Sequence, residues 1–207
     1  MKKRRIKKKP MIIACILLLI IIIGIVYFTI FSKEEKEVTK IKNVDTIEGY
    51  DYTLSENATK YYKKLFKELK DVLSQDDVDE EAYAELVTKL FIADFFNLDN
   101  KISKNDVGGL QFVYKDFQDD FVKLASNSMY KHVQSDVYGD RKQSLPVVSS
   151  VLAEKQDNTT FTYGDNVDDN AYVYDFTITY KDDMGYQESG TITLIHSNDK
   201  LEVAAME

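Results

Sequence analysis

The chain holds two histidines, His132 and His196, and one cysteine, Cys15. An acid beside a histidine is the commonest general acid–base pair, and Asp175 with His196 is the candidate the sequence offers. The competing reading is a solvated sheet face, because Asp175 alternates away from the aromatic row of its own strand. Asp165, Asp168, Asp169 and Asn170 crowd one segment, as calcium-binding oxygens do, but without the spaced pattern, central Gly and terminal Glu of a calcium loop. A solvated hairpin connection is the plainer expectation, and no metal is expected. No Ser, His and Asp stand in a nucleophile context, and Cys15 lies within an apolar run. The sequence therefore offers no catalytic residue and no cofactor.

Two segments could meet a partner, although a plain loop with an Asn or Asp cap is the competing and plainer reading of the first. In Lys104–Phe112, Gly108 and Gly109 allow unusual backbone angles and close approach, Asp106 is a candidate cap, and the following amides of a helix start favour a carboxylate. Gln111 completes that candidate contact. The Gly-Lys-Ser/Thr ending of a phosphate loop is absent, so nucleotide binding is not expected. Tyr138 and Arg141, in Tyr138-Gly139-Asp140-Arg141, form the second candidate contact. A candidate pocket is lined by Tyr172, Tyr174 and Phe176 with His196; the same aromatic row could instead be core packed on helices.

These residues need elements to hold them. Met11 to Phe31 is an uncharged run of 21 residues behind seven Lys or Arg in the first ten positions. At ~1.5 Å per residue it spans ~31 Å, the thickness of a bilayer's hydrocarbon. The basic flank places the N-terminus in the cytoplasm and the rest outside. A cleaved signal peptide competes, but its apolar core is normally shorter and ends in small residues, whereas this run ends Tyr27-Phe28-Thr29-Ile30-Phe31. Ile12-Ile13-Ala14-Cys15 has the form of a lipobox, yet the apolar core follows the Cys instead of preceding it.

The chain carries 27 Lys and Arg against 35 Asp and Glu; seven of the 27 lie in the first ten residues, leaving 20 against 35 from Met11 onward. Such an acidic exterior disfavours nucleic acid outside the cell. The basic tail could bind anionic headgroups or serve only as a topology signal. With no cysteine after Cys15, the exterior part cannot hold an intramolecular disulfide. The composition suits a bacterial surface protein.

The expected domains are a cytoplasmic tail (1–10), a transmembrane helix (11–31), a stalk (32–49) and an extracytoplasmic α+β domain (50–207). Thr53 to Glu56 has capping-box spacing, and Leu54, Ala58, Tyr61, Tyr62, Leu65, Phe66, Leu69, Val72 and Leu73 recur as an amphipathic helix. Asp76, Asp77 and Asp79 precede a second helix carrying Leu86, Leu90, Phe91, Phe95 and Leu98. A third is expected over Val113–Val133, with Val113, Phe117, Phe121, Leu124 and Val133 inward. After Pro146 the period becomes two: Val147–Leu152, Phe161–Tyr163, Ala171–Tyr180, Gln187–His196 and Leu201–Met206 read as strands of an antiparallel sheet.

Three helices followed by a meandering sheet of four or five strands is the order of the nuclear-transport-factor-2-like cone, which the exterior part resembles. With a basic start and one membrane helix, the whole chain is similar in architecture to the bitopic assembly subunit of type IV secretion and conjugation channels. The resemblance implies a non-enzymatic scaffold that self-associates and contacts envelope proteins. A small-molecule sensor with a ligand between row and helices is the alternative, and an enzyme of the same fold, needing a buried acid near His196 or His132, stands third.

Overall fold

The computed structural model describes residues 41–207. The expected tail and transmembrane helix lie outside the described residues, and no described helix is long and apolar enough to cross a membrane. The described part is a mixed α+β domain with three helices and a curved five-stranded antiparallel sheet.

It opens with a hairpin, β1 (Asn43–Ile47) and β2 (Tyr52–Ser55), which pair antiparallel. Part of the expected stalk is therefore strand. Ile47, Tyr52 and Leu54 are buried, and burying them repays ordering a segment whose remaining residues are polar. The Thr53–Glu56 spacing does not start a helix, since Thr53 and Ser55 belong to β2. Helix α1 runs Lys60–Leu73, and its cap is Thr59, whose side chain accepts the Tyr62 N–H at 3.1 Å. Its buried face is Tyr62, Leu65, Phe66, Leu69 and Leu73. Helix α2 (Glu80–Phe95) starts as expected at an acidic cap, with Asp79 Oδ1 accepting the Ala82 N–H at 3.0 Å. Val87, Leu90, Phe91 and Ile92 are fully buried because α2 lies between α1 and the sheet.

The expected third helix is shorter. Two single 3₁₀ turns, Leu110–Phe112 and Lys115–Phe117, lead into α3 (Gln118–Asn127). Tyr114 is held between the turns: its N–H donates to the Val203 carbonyl at 2.9 Å, which ties this segment to the sheet and interrupts the helix. Phe121 packs on Phe91 and Phe95, with ring centroids 5.8 and 5.2 Å apart. Leu124, expected inside, is 70% exposed, because Ala125 takes the buried position of that turn.

The sheet comprises β3 (Val148–Lys155), β4 (Thr159–Tyr163), β5 (Asn166–Tyr180), β6 (Ser189–Ser197) and β7 (Lys200–Met206). β3 and β4 lie along one side of the 15-residue β5, while β6 and then β7 follow on the other. The aromatic row falls on the covered face: Tyr172, Tyr174, Phe176 and Ile178 are all buried. Asp168 and Asn170, expected in a loop, stand within β5.

Candidate functional site

Two clusters collect the polar side chains that sequence singled out. The first lies where α2 ends. Gly108 passes so close to that end that a Cβ there would sit 2.2 Å from the Asp94 carbonyl oxygen. Gly109 has φ +77°, and a Cβ on it would strike the Phe91 ring at 2.7 Å. The pair is glycine because the loop is pressed onto the helix. The Gly109 N–H donates to Asp94 Oδ2 at 2.7 Å, so the chain's own carboxylate fills the place where an anion was expected. Lys101, only 5% exposed, reaches Asp94 Oδ1 at 2.5 Å. The Gly108 N–H donates to the Tyr130 hydroxyl at 3.1 Å, which in turn donates to the Phe95 carbonyl at 2.5 Å and caps an open carbonyl of α2.

Gln111 joins this loop to the hairpin. Its carboxamide accepts the Thr53 N–H at 2.8 Å and donates to the Thr53 carbonyl at 3.2 Å and the Tyr62 hydroxyl at 2.8 Å. Asp106 Oδ2 accepts the Ile102 N–H at 2.9 Å. Between hairpin and loop a cleft of about 340 Å³ opens, lined by Asn43, Ser55, Asn57, Lys101, Asp106 and Gln111 among others. Of the first candidate contact, Asp106, Gly108 and Gln111 thus line one cleft.

Arg141 has a different role. Its guanidinium donates to the carbonyls of Lys101 at 2.6 Å, Asp99 at 2.5 Å and Gln134 at 3.3 Å, stapling the loop from within. Tyr138 is exposed.

The second cluster surrounds His196. Asp175 is not its partner; that carboxylate accepts the Thr191 hydroxyl at 2.7 Å. The partner is Asp168, 8% exposed, whose Oδ2 accepts the His196 N–H at 2.7 Å and meets Nδ1 at 2.8 Å. Asp168 Oδ1 also accepts the Asn170 N–H at 2.9 Å. Burial alone would raise the Asp168 carboxyl, but the His196 and Asn170 amides and the imidazole hold it below its ordinary value. On the other side His196 Nε2 lies 3.2 Å from Glu80 Oε1. Glu80 Oε2 accepts the Tyr172 hydroxyl at 3.2 Å. Desolvation, then the charge of Glu80, pushes the Tyr172 phenol up to about 12.

An imidazole with a carboxylate on each nitrogen links β6, β5 and the start of α2. Tyr174 and Phe176 sit deeper: the Tyr174 hydroxyl donates to the Glu81 carbonyl at 3.2 Å, and the Phe176 ring packs 6.0 Å from Phe96. His132 is remote and exposed, its carbonyl accepting from Gln143 at 3.0 Å.

Sequence reasoning passed over Asp94, Lys101 and Tyr130; it grouped Asp168 with the calcium-type oxygens and missed it, and Glu80, as partners of His196. For Asp168 a signal existed, since it has the same even spacing as Tyr172 and Tyr174. Among the described residues no group of three or more His, Cys, Asp or Glu is arranged to hold a metal ion. The chain matches no protein-family model, no curated protein and no solved structure.

Proposed function

We propose that this chain is a single-pass membrane protein, N-terminus cytoplasmic, whose exterior domain is a non-enzymatic binding or assembly module of the cell envelope. The apolar run behind seven basic residues supports the tether. Helices followed by an antiparallel meander support the likeness to the cone-shaped nuclear-transport-factor-2-like fold, and through it to the bitopic subunit of secretion and conjugation channels. The observation that carries the module reading is where space lies. Side chains of Phe66, Phe91, Phe96 and Phe176 are buried in the core, with Phe96 packed on Phe176 of the aromatic row, while the polar cleft faces outward beside the hairpin. A domain built this way offers its polar groups to a partner at the surface.

A small-molecule sensor is the second reading, and the cleft favours it: its volume falls within the range of ligand sites. For an enzyme, Asp168 beside His196 is the required buried acid, but two main-chain N–H groups and the imidazole already occupy its carboxylate.

The test is fractionation and topology of the full chain. Carbonate-resistant membrane association, with residues after 41 open to protease from outside intact cells, is expected. A mature chain free in the medium without its first thirty-odd residues would refute the tether. Crosslinking that recovers only monomer under several chemistries would refute the assembly role.

A further inference from the structure

Open strand edges invite pairing with another chain, and folded proteins generally cover them. Here the edges other than that of β4 are each met at some positions by the domain itself. On β3 the Tyr61 hydroxyl accepts the Val151 N–H at 2.9 Å and donates to the Val151 carbonyl at 3.3 Å. On β2 the Gln111 carboxamide does the same for Thr53. β7 is met by Val113, bridged in parallel to Val203. β1 shifts register between Asn43 and Asp45, and Asp45 Oδ1 takes the Thr46 N–H at 2.8 Å.

β4 differs. Tyr163 and Asn166 flank the two-residue turn Gly164–Asp165, and Phe161 stands opposite Asp168. Antiparallel alternation then turns the main-chain groups of Thr162 away from β5, and the register shifts between Thr159 and Phe161, at Thr160. Among the described residues no loop, cap or side-chain hydrogen bond reaches the main chain of Thr160 or Thr162. Thr159–Tyr163 is uncharged and wholly β-branched or aromatic, in a chain of which 30% is charged.

We propose that the outer edge of β4 docks a second copy of this chain, the two β4 strands pairing antiparallel about a twofold axis through Thr162. This rests on the tethered-module reading above. Acidic surfaces repel one another elsewhere, so the uncharged strand is where two main chains can approach. Outward groups at even positions must meet outward groups at even positions, which sets one residue opposite itself. An axis at Phe161 would set Asp157 against Asp165 of the second copy, two like charges. An axis at Thr160 would face Tyr163 with Asp157. The axis at Thr162 instead sets Phe161 against Tyr163 of the second copy, twice, and aromatic cross-strand pairs are favourable. In this register only Phe161, Thr162 and Tyr163 face strand residues of the second copy, because Thr160 and Thr159 meet its turn residues Gly164 and Asp165. So short a pairing is weak alone, and confinement to one membrane supplies the local concentration.

The test uses the full chain in membranes with Cys15→Ser, so that every thiol is introduced. A hydrogen-bonded antiparallel pair has Cα atoms about 5.5 Å apart, inside the disulfide range. Thr162→Cys is expected to give, on mild oxidation, an order of magnitude more disulfide-linked dimer than Thr177→Cys, an exposed control on β5. Adding Thr160→Lys should remove that excess while circular dichroism stays unchanged. Equal or absent crosslinking at Thr162 and Thr177 in folded protein overturns the proposal, and crosslinking centred on Thr160 or Phe161 overturns its register. Carbonate extraction of the same membranes separates the two failures. A retained chain without dimer overturns the pairing alone, whereas a released chain overturns the tether.

Discussion

Replacing Gly108 with Ala tests whether the loop's contact with α2 holds the cleft together. The added Cβ would lie 2.2 Å from the Asp94 carbonyl oxygen and 2.6 Å from its carbon, both backbone atoms of a buried helix end. Lys101 Nζ, at 2.8 Å, can swing aside, but the helix backbone cannot. The loop must therefore retreat by most of an ångström. That stretches the Gly109 N–H to Asp94 bond of 2.7 Å and the Gly108 N–H to Tyr130 bond of 3.1 Å. Overpacking of this kind costs about 1–3 kcal/mol, and losing a hydrogen bond to a charged group about 1.5–3 kcal/mol. The expected loss is about 3–5 kcal/mol, or roughly 6–20 °C in Tm for a domain of this size.

Gly139→Ala is the control. Gly139 has φ +68° with nothing within 4 Å of a new Cβ, so only left-handed strain of about 1–2 kcal/mol applies. Urea titration followed by tyrosine fluorescence suits a chain with 14 Tyr and no Trp. If Gly108→Ala were no more destabilising than Gly139→Ala, the close approach would not be what requires glycine there.

Asp168 should give the domain an acid-sensitive limb. Its folded-state value lies below the unfolded one, so its contribution is present above about pH 4 and lost as pH falls through the folded value. Asp168→Asn should flatten stability against pH in that window, and an unchanged acid limb would exclude the role. Thr88 is fully buried and its hydroxyl has no partner; Thr88→Val should raise stability by about 1 kcal/mol in a thermal melt. Tyr83 is pushed up to about 12 by burial, against the bonds from Tyr52 and Leu201 that lower it. A phenol raised above its unfolded value stabilises below about pH 10 and less as pH rises toward the folded value. Tyr83→Phe should therefore reduce the steepness of alkaline unfolding followed by phenolate absorbance.

The strands after Pro146 were legible because one face of the sheet is covered and period two survives burial. Tyr172 to Ile178 alternate in the sequence as they do in β5. Helix α2 was legible from its acidic start, which Asp79 fulfils. The hairpin was not: Asn43–Ile47 has one buried side chain, Ile47, and a strand held by its partner's main chain leaves little pattern. The third helix was overextended at its start because its apolar spacing includes Val113 and Phe117, on either side of the point where Tyr114 bonds Val203, a contact 89 positions away in sequence.

The same distance problem explains the sites. Gly108 and Gly109 stood out because glycine pairs are rare, but their reason lies in Asp94 and Phe91, on a different element. His196 invited an acid, and the choice of Asp175 followed strand proximity in sequence. The register of β5 on β6 sends Asp175 to Thr191 instead and leaves Asp168 for the imidazole. A prediction of which polar side chains meet therefore needs strand register before residue type. In this chain register is set by the buried aromatic row, and replacing Phe176, packed against Phe96, should disturb the Asp168–His196 contact despite touching neither residue.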